Sequence, residues 1–464
     1  AGDDSVSLTI DIVDDPLVEE TQSFSVLWSN PLGGTLVDSD PSITVTITDD
    51  DPSVALSYSS NIVDENFLGA NSVIVDDFDG DDDPEIAVSG NLLSNNEQVS
   101  IRIYDINQSD DSITFSLTDE ISTDYGSNIL DASYSVAIDA SDFDNDGDAD
   151  IAMVGWNDSI TLFENKGDHS WAQHDLVLSS QNPDITFHYN DISVSDVNSD
   201  GYSDIVVTSG LGGDWTGDGG SYDTNPSAVA VYLNPSSDSS STWSMASWQE
   251  IQLLPNGASD DYISTAVYMP TSVDLDDNDY SDILVALTHV ESGSIGVFYQ
   301  NSDGFSSLEY IAEVSNTHTV AAADITNNGA LDIVSAEQIS DGSSELLLLT
   351  QSEAGWESTL IGTGFPKVVD IEITDINQDD LLDVVVIDFA SSAVSPFVQY
   401  RKDSGEIIWN QEASLVVADN NSVYDIYMYD TNDDGYQDVL SVSNTVTVDS
   451  PDSLLVHYVD FLGI

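Results

Sequence analysis

The sequence predicts an all-β protein, a seven-bladed β-propeller preceded by a small N-terminal module of β-sandwich type. Three observations carry this prediction. An acidic pattern of nine residues recurs seven times along the chain. Each copy leads directly into an apolar, strand-like run, and about four strand-sized segments fit into each unit of roughly 50 to 80 residues. Repeated four-stranded units are typical of propeller blades, which leave only short, protected sheet edges.

The composition indicates a folded protein that works in the presence of salt or divalent cations. Of the 464 residues, 86 are acidic and 5 are basic, which gives a formal net charge of −81, yet 40% are hydrophobic. This apolar content offsets the entropy cost of folding, whereas the self-repulsion has to be screened by ions, as in seawater or brine. Binding to nucleic acid or to an anionic membrane surface is electrostatically opposed.

The sequence lacks both Cys and long apolar runs, which narrows the class of protein further. There is no Cys, so neither disulfides nor thiolate metal ligands contribute, and bound cations are the expected cross-links. No apolar run approaches the roughly 18 residues of a membrane-spanning helix, and the longest runs are strand-sized, such as 346–349 and 384–387. We therefore expect no direct membrane insertion.

The seven acidic copies share two fixed positions. Position 9 is Asp in six copies and Glu in one, and about one residue in five of the whole chain is acidic, so this recurrence does not arise by chance. Polar turns between strands remain the alternative to a cation site. Position 1 of the copies is Asp77, Asp142, Asp196, Asp274, Asp324, Asp375 and Asp430.

Calcium coordination explains the spacing. Ca²⁺ takes about six to eight oxygen ligands, and a tight loop with oxygen-bearing side chains at positions 1, 3 and 5 and a backbone carbonyl at position 7 wraps such an ion. Position 6 is Gly in four copies, where the chain turns sharply. An EF-hand would carry a bidentate Glu at position 12, but this position is Val, Met or Ser. We therefore expect the acidic residue at position 9 to close the site.

The two ends of the repeat region predict how the ring closes. The last repeat reaches its third strand near residue 460, and four residues follow. The strand-like segment 53–60 precedes the first repeat and belongs to no unit of its own. We therefore expect a propeller domain at 53–464, in which residues 53–60 complete the last blade, and a separate module at 1–52.

The loops resemble the FG-GAP/VCBS repeats, which are calcium-loop propellers related to the head of the integrin α-subunit. The resemblance covers about residues 53–464, and the segment 67–73, FLGANSV, is similar to the turn that gives the FG-GAP family its name. It implies an extracellular, usually non-catalytic scaffold for adhesion or recognition. It also implies about six or seven bound Ca²⁺ ions, one per blade.

Carried over position by position, the resemblance implies one set of metal ligands per loop, in which the residue at position 7 offers its backbone carbonyl. The fifth loop supplies only two carboxylates and is expected to bind most weakly or to stay empty. The implied ligands are Asp77, Asp79, Asp81, Asp83, Glu85, Asp142, Asp144, Asp146, Asp148, Asp150, Asp196, Asn198, Asp200, Tyr202, Asp204, Asp274, Asp276, Asn278, Tyr280, Asp282, Asp324, Thr326, Asn328, Asp332, Asp375, Asn377, Asp379, Leu381, Asp383, Asp430, Asn432, Asp434, Tyr436 and Asp438.

Residues 1–52 resemble the second half of a Calx-β domain, with alternating strands, an N-P-x-G-G turn and a final T-I-T-D-D-D, although Gln22 replaces the usual Glu. Half of such a domain exposes strand edges, so we expect it to pair with a neighbouring subunit by strand addition. A trimmed piece of a longer surface protein is the alternative. A charged hinge is the alternative to further Ca²⁺ ligands, which the resemblance places at Asp14, Asp15, Glu19, Asp49, Asp50 and Asp51.

The sequence favours a binding protein over an enzyme. Six His residues are scattered without H-E-x-x-H spacing, and neither G-x-S-x-G nor a P-loop occurs. We expect a non-enzymatic, calcium-binding protein, secreted or displayed at the cell surface, that serves adhesion or self-assembly into a filament or surface layer. Its expected partners are further copies of itself, another surface protein or a glycan.

Two other functions stay open. The Gly-rich segment 210–227 contains Trp215 and Tyr222, which could stack on a sugar ring in a carbohydrate-binding lectin; a flexible decoration is the other interpretation of this segment. A polysaccharide-degrading enzyme is less favoured, because no pair of carboxylates stands out for glycoside hydrolysis. Four other tryptophans fall in outer-strand segments and are expected to pack between blades: Trp171, Trp248, Trp356 and Trp409.

Overall fold

The computed structural model describes most of the repeat region and two short stretches of the N-terminal module. The regular elements it describes are β-strands. Among these residues, no helix has the length and apolar character that crossing a bilayer requires. The described residues are 22–27, 42–47, 56–57, 60–64, 67, 70–81, 83–91, 98–109, 112–124, 137–155, 159–167, 169–177, 189–209, 228–235, 242–244, 247–254, 266–288, 295–312, 317–339, 343–352, 355–388, 391, 393–401, 407–411, 414–416, 422–432, 435–444, 454–457 and 460–461.

Two strands of the N-terminal module pair with each other. β1 (Gln22–Leu27) and β2 (Ser42–Ile47) are antiparallel, with Phe24 opposite Val45. Both of these apolar side chains are half-buried, and the polar residues that alternate with them are exposed. The predicted strand character is confirmed for these two stretches. Outside the described residues lie the calcium ligands predicted for this module: Asp14, Asp15, Glu19, Asp49, Asp50 and Asp51.

The other described strands include seven antiparallel sheets of four or five strands, which we number in chain order. Two short strands come first, β3 (Leu56–Ser57) and β4 (Ser60–Asp64). Sheet 1 contains β5 (Ala70–Asp76), β6 (Glu85–Asn91), β7 (Gln98–Ser109) and β8 (Ser112–Asp124). Sheet 2 contains β9 (Ala137–Ser141), β10 (Asp150–Val154), β11 (Ser159–Asn165) and β12 (Trp171–Val177). Sheet 3 contains β13 (Tyr189–Ser195), β14 (Asp204–Ser209), β15 (Ala228–Leu233) and β16 (Gln249–Leu254).

The remaining sheets continue the same pattern. Sheet 4 contains β17 (Ala266–Val273), β18 (Asp282–Thr288), β19 (Ile295–Phe298) and β22 (Glu309–Ala312), and a small hairpin of β20 (Gln300–Asn301) and β21 (Gly304–Phe305) lies between the last two. Sheet 5 contains β23 (Thr317–Ala323), β24 (Asp332–Gln338), β25 (Ser344–Ser352) and β26 (Gly355–Phe365). Sheet 6 contains β27 (Val368–Thr374), β28 (Asp383–Asp388), β29 (Ala393–Arg401), β30 (Ile407–Gln411) and β31 (Leu415–Val416). Sheet 7 contains β32 (Ser422–Tyr429), β33 (Asp438–Asn444), β34 (Leu454–His457) and β4, and β35 (Asp460–Phe461) pairs with β3.

The acidic loop occupies the same place in all seven sheets. It joins the first strand to the second, and position 9 of the loop is the first residue of the second strand. Each second strand lies in the middle of its sheet and contacts the first and third strands on either side. Each of the seven predicted loops therefore connects the two strands of a hairpin, and the seven hairpins are equivalent.

The second strands are apolar on both faces because a sheet covers each face. In β10, Ile151 and Met153 belong to the hydrophobic cluster shared with sheet 1, whereas Ala152 and Val154 belong to the cluster shared with sheet 3. A strand that alternates between two buried faces contains an unbroken run of apolar residues. This is the physical reason for the D-I-V-V type of run after each loop.

Hydrophobic clusters lie between each pair of successive sheets, from sheets 1 and 2 to sheets 6 and 7. A further cluster joins sheet 7 to sheet 1 and includes Phe67, Tyr104, Leu440 and Val442. The first strands contact each other in the same order, and β32 contacts β5. Sheet 7 is thus adjacent to both sheet 6 and sheet 1.

The strand that completes sheet 7 comes from the beginning of the repeat region, a few residues later than the predicted segment 53–60. Asn61 of β4 lies opposite Val456 of β34, and Leu56 of β3 lies opposite Phe461 of β35. The half-buried Val63 packs against the cluster between sheets 7 and 1, so β4 supplies apolar surface as well as main-chain pairing. The segment 53–60 contains alternating apolar residues, which explains the displaced prediction.

The four outer tryptophans pack between sheets, as predicted. The ring of Trp171 in sheet 2 lies 6.2 Å from that of Phe78 in sheet 1. Trp248 is buried, with its ring centroid 6.2 Å from that of Phe143 in sheet 2. Trp356 packs against the cluster between sheets 4 and 5, and Trp409 packs against the cluster between sheets 5 and 6.

Candidate metal centres

The side chain at position 1 organises each loop by accepting backbone hydrogen bonds. In loop 2, which begins at Asp142, Oδ1 accepts from the amide of Asp146 at 3.0 Å and Oδ2 accepts from the amide of Gly147 at 2.9 Å. The carboxylate therefore lies inside the curve of its own loop. Both bonds recur, from positions 5 and 6, at Asp196, Asp274, Asp324 and Asp375.

The side chain at position 5 makes the next turn of the loop. Oδ1 of Asp146 accepts from the amide of position 7 at 3.2 Å, and Asp200 accepts from the amide of Tyr202 at 3.1 Å. Asn278 uses its amide oxygen in the same way, at 2.8 Å from the nitrogen of Tyr280. Asp and Asn are therefore interchangeable at this position, since both offer an oxygen acceptor.

Positions 4 and 6 have left-handed backbone conformations. Asn145 and Gly147 in loop 2 have φ values of 57° and 104°, and Ser199 and Gly201 in loop 3 have 58° and 88°. Gly occupies this region at low cost, which accounts for its recurrence at position 6. The sharp turn at position 6 was predicted from its glycines, whereas the matching requirement at position 4 was not predicted.

Position 9 clamps the loop to the third strand of its sheet. Asp150 accepts from the amide of Phe143 at 3.0 Å through Oδ2 and from the amide of Asn165 at 2.8 Å through Oδ1. Because these bonds serve the fold, the role of position 9 as a metal ligand stays a prediction. The same pair of bonds is made by Asp204, Asp282 and Asp383.

Burial of the position 9 carboxyls favours their neutral form. It raises the pKa of Glu85, Asp150 and Asp383 to about 8 and that of Asp204 to about 7, although backbone hydrogen bonds, one to Glu85 and two to each Asp, lower it. Nearby loop carboxylates raise these pKa values further. A cation in the loop would reverse this effect, because it favours the charged form.

Three loops bring three carboxylates into one small space, with one oxygen of each within 4.8 Å of the others. Each group includes the residue at position 3 of its own loop. Burial, followed by the charge of neighbouring loop carboxylates, raises the pKa of Asp79, Asp144 and Asp276. The groups are Asp77, Asp79 and Glu85 in loop 1; Asp142, Asp144 and Asp146 in loop 2; and Asp274, Asp276 and Asp282 in loop 4.

The other four loops have an uncharged residue at position 3. Loops 3, 6 and 7 have Asn there, and loop 5 has Thr326. In loop 5, Thr326 donates to Oδ2 of Asp332 at 2.9 Å, and the buried Oδ1 of Asp332 has no hydrogen-bond partner among the described residues. In loop 7, the predicted ligand Asp434 lies outside the described residues.

The donor set fits a hard cation. All candidate side-chain ligands are oxygens, which Ca²⁺ prefers over the nitrogen and sulfur ligands typical of zinc. In loop 2, Oδ1 of Asp144 is buried and has no hydrogen-bond partner within the described part of the chain, while its Oδ2 accepts from Nε1 of Trp243 at 3.2 Å. A buried carboxylate oxygen without a donor is costly, and a bound cation would satisfy it.

Sequence reasoning missed one acidic residue beside loop 1. Asp105 lies in the third strand, opposite Glu85 of the second strand. Its Oδ1 is buried without a partner among the described residues. Burial, opposed by the charge of His169 and assisted by that of Asp81, raises its pKa. Asp105 lies far from loop 1 in the sequence, and only the strand pairing brings it close, so no sequence signal indicated it.

Sequence reasoning also missed three amide side chains that join neighbouring loops. Nδ2 of Asn234 donates to the carbonyl of Phe143 in loop 2 at 2.9 Å and to that of Ser203 in its own loop at 3.2 Å. Asn165 and Gln399 make equivalent pairs of bonds. The repeated Asn or Gln at the end of the third strand was a visible signal for this contact.

Comparison with known families gives one match. The model of the FG-GAP-like repeat matches residues 142–207 and 274–335. The first region runs from loop 2 into β14, and the second runs from loop 4 into β24. The chain is therefore similar to FG-GAP repeats at four of the seven loops. No curated protein matches the chain significantly.

Proposed function

We propose that the protein is a calcium-binding, seven-bladed β-propeller that acts as an extracellular scaffold. The proposal rests first on the seven sheets and on the hydrophobic clusters between successive sheets, including the one between sheet 7 and sheet 1. The match of two regions to FG-GAP-like repeats supports the same architecture. Each sheet would be one blade, and β4 would close the ring.

The observation that carries calcium binding is the gathering of carboxylates within one repeated loop frame. Loops 1, 2 and 4 each bring three carboxylates together, which is costly unless a cation or protons offset the repulsion. With a net charge of −81, ions in these loops would also reduce the repulsion across the whole molecule. We expect these three loops to bind most tightly and loop 5 most weakly.

An extracellular setting suits this chemistry. Extracellular calcium modules bind with dissociation constants of about 10⁻⁴ to 10⁻³ M, and a chain without Cys gains no cross-link from disulfides. We propose a role in adhesion or self-assembly without catalytic turnover. Among the described residues of this module, β1 and β2 pair with each other. A sheet of two strands is marginal by itself, which supports strand addition as the mode of assembly.

Calcium titration tests the metal proposal. At constant ionic strength, CaCl₂ should raise the Tm and give heat in a calorimetric titration, and a matched concentration of MgCl₂ should have a smaller effect because Mg²⁺ sheds its water reluctantly. Asp144→Asn should remove part of the calcium response. Asp303→Asn, which changes the same charge at an exposed turn, should leave the response unchanged. A Tm that follows ionic strength alone would exclude specific sites.

Sedimentation tests the assembly proposal. The full chain should form larger species with Ca²⁺ than with a chelator, and a variant that lacks residues 1–52 should remain monomeric in both. If the shortened variant assembles as well as the full chain, strand addition through the N-terminal module is wrong.

A further inference from the structure

Besides the bonds made by the amides of the third strands, a second repeated hydrogen bond joins neighbouring loops, and its donor lies at position 4. At position 4 of loop 2, Asn145 donates from Nδ2 to the backbone carbonyl of Gly201 in loop 3, at 3.2 Å. At the same position of loop 3, Ser199 donates from Oγ to the backbone carbonyl of Asp279 in loop 4, at 3.3 Å. Donor and acceptor thus occupy positions 4 and 6 of neighbouring loops in both cases.

A third copy of this bond joins loops 6 and 7, where Gln378 donates from Nε2 to the carbonyl of Gly435. The three donors are an Asn, a Ser and a Gln, but all lie at position 4 in the left-handed conformation, with φ between 57° and 60°. The contact is therefore not tied to one residue type. The three donors share a left-handed backbone conformation and a side chain that can donate a hydrogen bond.

Each bond connects the centre of one candidate site to the centre of the next. Asn145 stands between the position 3 and position 5 ligands of loop 2. The carbonyl of Gly201 shares its peptide unit with the amide of Tyr202, which donates to Oδ1 of Asp200 at 3.1 Å. An ion that fixes Asp200 and the Tyr202 carbonyl would therefore also fix the carbonyl that holds Asn145.

We propose that ions bind cooperatively to the loops that this bond joins, so that loops 2, 3 and 4 fill as one group and loops 6 and 7 as another. The inference rests on the proposed calcium binding. Its physical basis is conformational entropy: the ion that orders one loop restricts the neighbouring loop as well, so the next ion has less ordering to complete. By linkage, each site in a group raises the affinity of the other sites.

Position 4 also sets the limits of the groups. In loop 1 this position is Gly80, which has no side chain to donate, and in loop 4 it is Asp277, which accepts but does not donate when ionised. Among the residues that the structure describes, the side chain of Asn327 in loop 5 makes no hydrogen bond to loop 6. Loop 5, which has only two carboxylates, is therefore joined to neither group by a described position 4 bond.

A fluorescent reporter is available for loop 2. Nε1 of Trp243 donates to Oδ2 of Asp144 at 3.2 Å, so Ca²⁺ in this loop should change the fluorescence of the indole, and Trp243→Phe identifies this part of the signal. Ca²⁺ titrations are compared in four proteins: wild type, Asp200→Asn, Asn145→Gly and the double variant. Asp200→Asn weakens Ca²⁺ binding to loop 3 and changes no residue of loop 2. The four proteins form a double-mutant cycle, which isolates the coupling between the two loops.

Cooperative loops predict a defined result for this cycle. Asp200→Asn should weaken Ca²⁺ binding to loop 2 by about 5-fold or more in the wild-type background and by less than about 2-fold in the Asn145→Gly background. Calorimetric titration gives a second readout, in which Asn145→Gly lowers the Hill coefficient. Equal weakening in both backgrounds, with Ca²⁺ still bound, overturns the coupling and leaves the proposed function standing. A protein whose Tm and fluorescence do not respond to Ca²⁺ overturns the proposed function itself.

Two further variants separate the hydrogen bond from backbone effects. Glycine is the replacement because it keeps the left-handed conformation and occurs naturally as Gly80 in loop 1. Asn145→Gln retains an amide, as Gln378 does in loop 6, and should restore the coupling. Asn327→Gly makes the matched backbone change in loop 5 and should leave the coupling of loops 2 and 3 unchanged; loss of coupling in this variant would contradict the proposal.

Discussion

Asp425 in β32 accepts a hydrogen bond from the backbone amide of Val73 in β5, with 2.9 Å between Oδ2 and nitrogen. The contact joins sheet 7 to sheet 1. A similar contact joins sheet 2 to sheet 3, where Asp139 accepts from the amide of Val194 at 2.7 Å. Carboxylates on first strands therefore satisfy backbone donors of the next sheet, in places where the two strands do not pair as a ladder.

Replacing Asp425 tests how much this contact stabilises the fold. Asp425→Ala leaves the buried amide of Val73 without its acceptor and should cost about 1–3 kcal/mol. Asp425→Asn keeps an oxygen acceptor and removes a charge near Asp370 and Glu372, so its stability at pH 8 should equal or exceed that of the wild type. Urea unfolding followed by circular dichroism measures both, and equal losses for the two variants would contradict this account.

The carboxyls on the first strands form an acidic group whose protonation is linked to folding. Burial raises the pKa of Asp139 to about 7. Burial and the nearby charge of Asp425 raise the pKa of Asp370 and of Glu372, and Asp76 adds its charge to the group. Unfolded carboxyls titrate near pH 4. The stabilisation is therefore complete below about pH 4 and is lost as the pH rises through about 7.

The chelated protein should accordingly become less stable between pH 5 and pH 8, in contrast to ordinary acid denaturation. Thermal melts with a chelator at constant ionic strength measure this slope. Asp139→Asn, which cannot titrate but keeps an acceptor for the amide of Val194, should reduce the fall in Tm. Asp303→Asn at the surface should not. A Tm that rises across this range would show that these carboxyls are not protonated in the folded state.

The amide of Asn234 gives a prediction for the contact between sheets 2 and 3. Asn234→Asp points a carboxylate at two backbone carbonyls, those of Phe143 and Ser203, and should cost more than about 2 kcal/mol at pH 8. Asn234→Gln should cost less, because Gln399 occupies the equivalent place in sheet 6. Chemical unfolding at constant Ca²⁺ compares the two. If both variants unfold at the same denaturant concentration, the donor role is wrong.

Truncation tests the completion of sheet 7. A variant that begins at residue 53 retains β4 and should keep the Tm of the full chain. A variant that begins at residue 65 loses β4, leaves β34 as an uncovered edge and should melt earlier and aggregate. Adding a peptide of residues 56–64 should restore part of the lost stability. Identical melting of the two truncated proteins would show that β4 contributes nothing to the sheet.

The sequence predicted the elements that depend on local pattern. The loop spacing and the apolar runs each lie within about a dozen positions. The seven hairpins and the packing of Trp171 and Trp248 could therefore be predicted from the sequence. The frame of each loop also follows from local contacts, such as that of Asp142 with the amide of Gly147. The carboxylates gathered in loops 1, 2 and 4 could be named in advance because they lie in one short segment each.

Specific polar contacts between distant residues could not be predicted in the same way. The bond from Asn145 to Gly201 and that between Asp425 and Val73 join different sheets, and Asp105 lies opposite Glu85 within sheet 1; each pair is far apart in the chain. The predicted closing segment was displaced for a related reason. Residues 53–60 alternate more clearly than 60–64, but pairing with β34 is decided by the register of the whole sheet.

The pairing of β4 with β34 has a consequence for biosynthesis, because it joins residues about 390 positions apart. A chain that emerges amino end first can assemble its early hairpins at once, but sheet 7 has to wait until residues 454–457 have been made. Contacts of such high sequence separation form slowly, since a long segment must be restricted before any contact rewards it. Until then, residues 60–64 remain available to other polypeptides, so a chaperone would protect the nascent protein from mispairing.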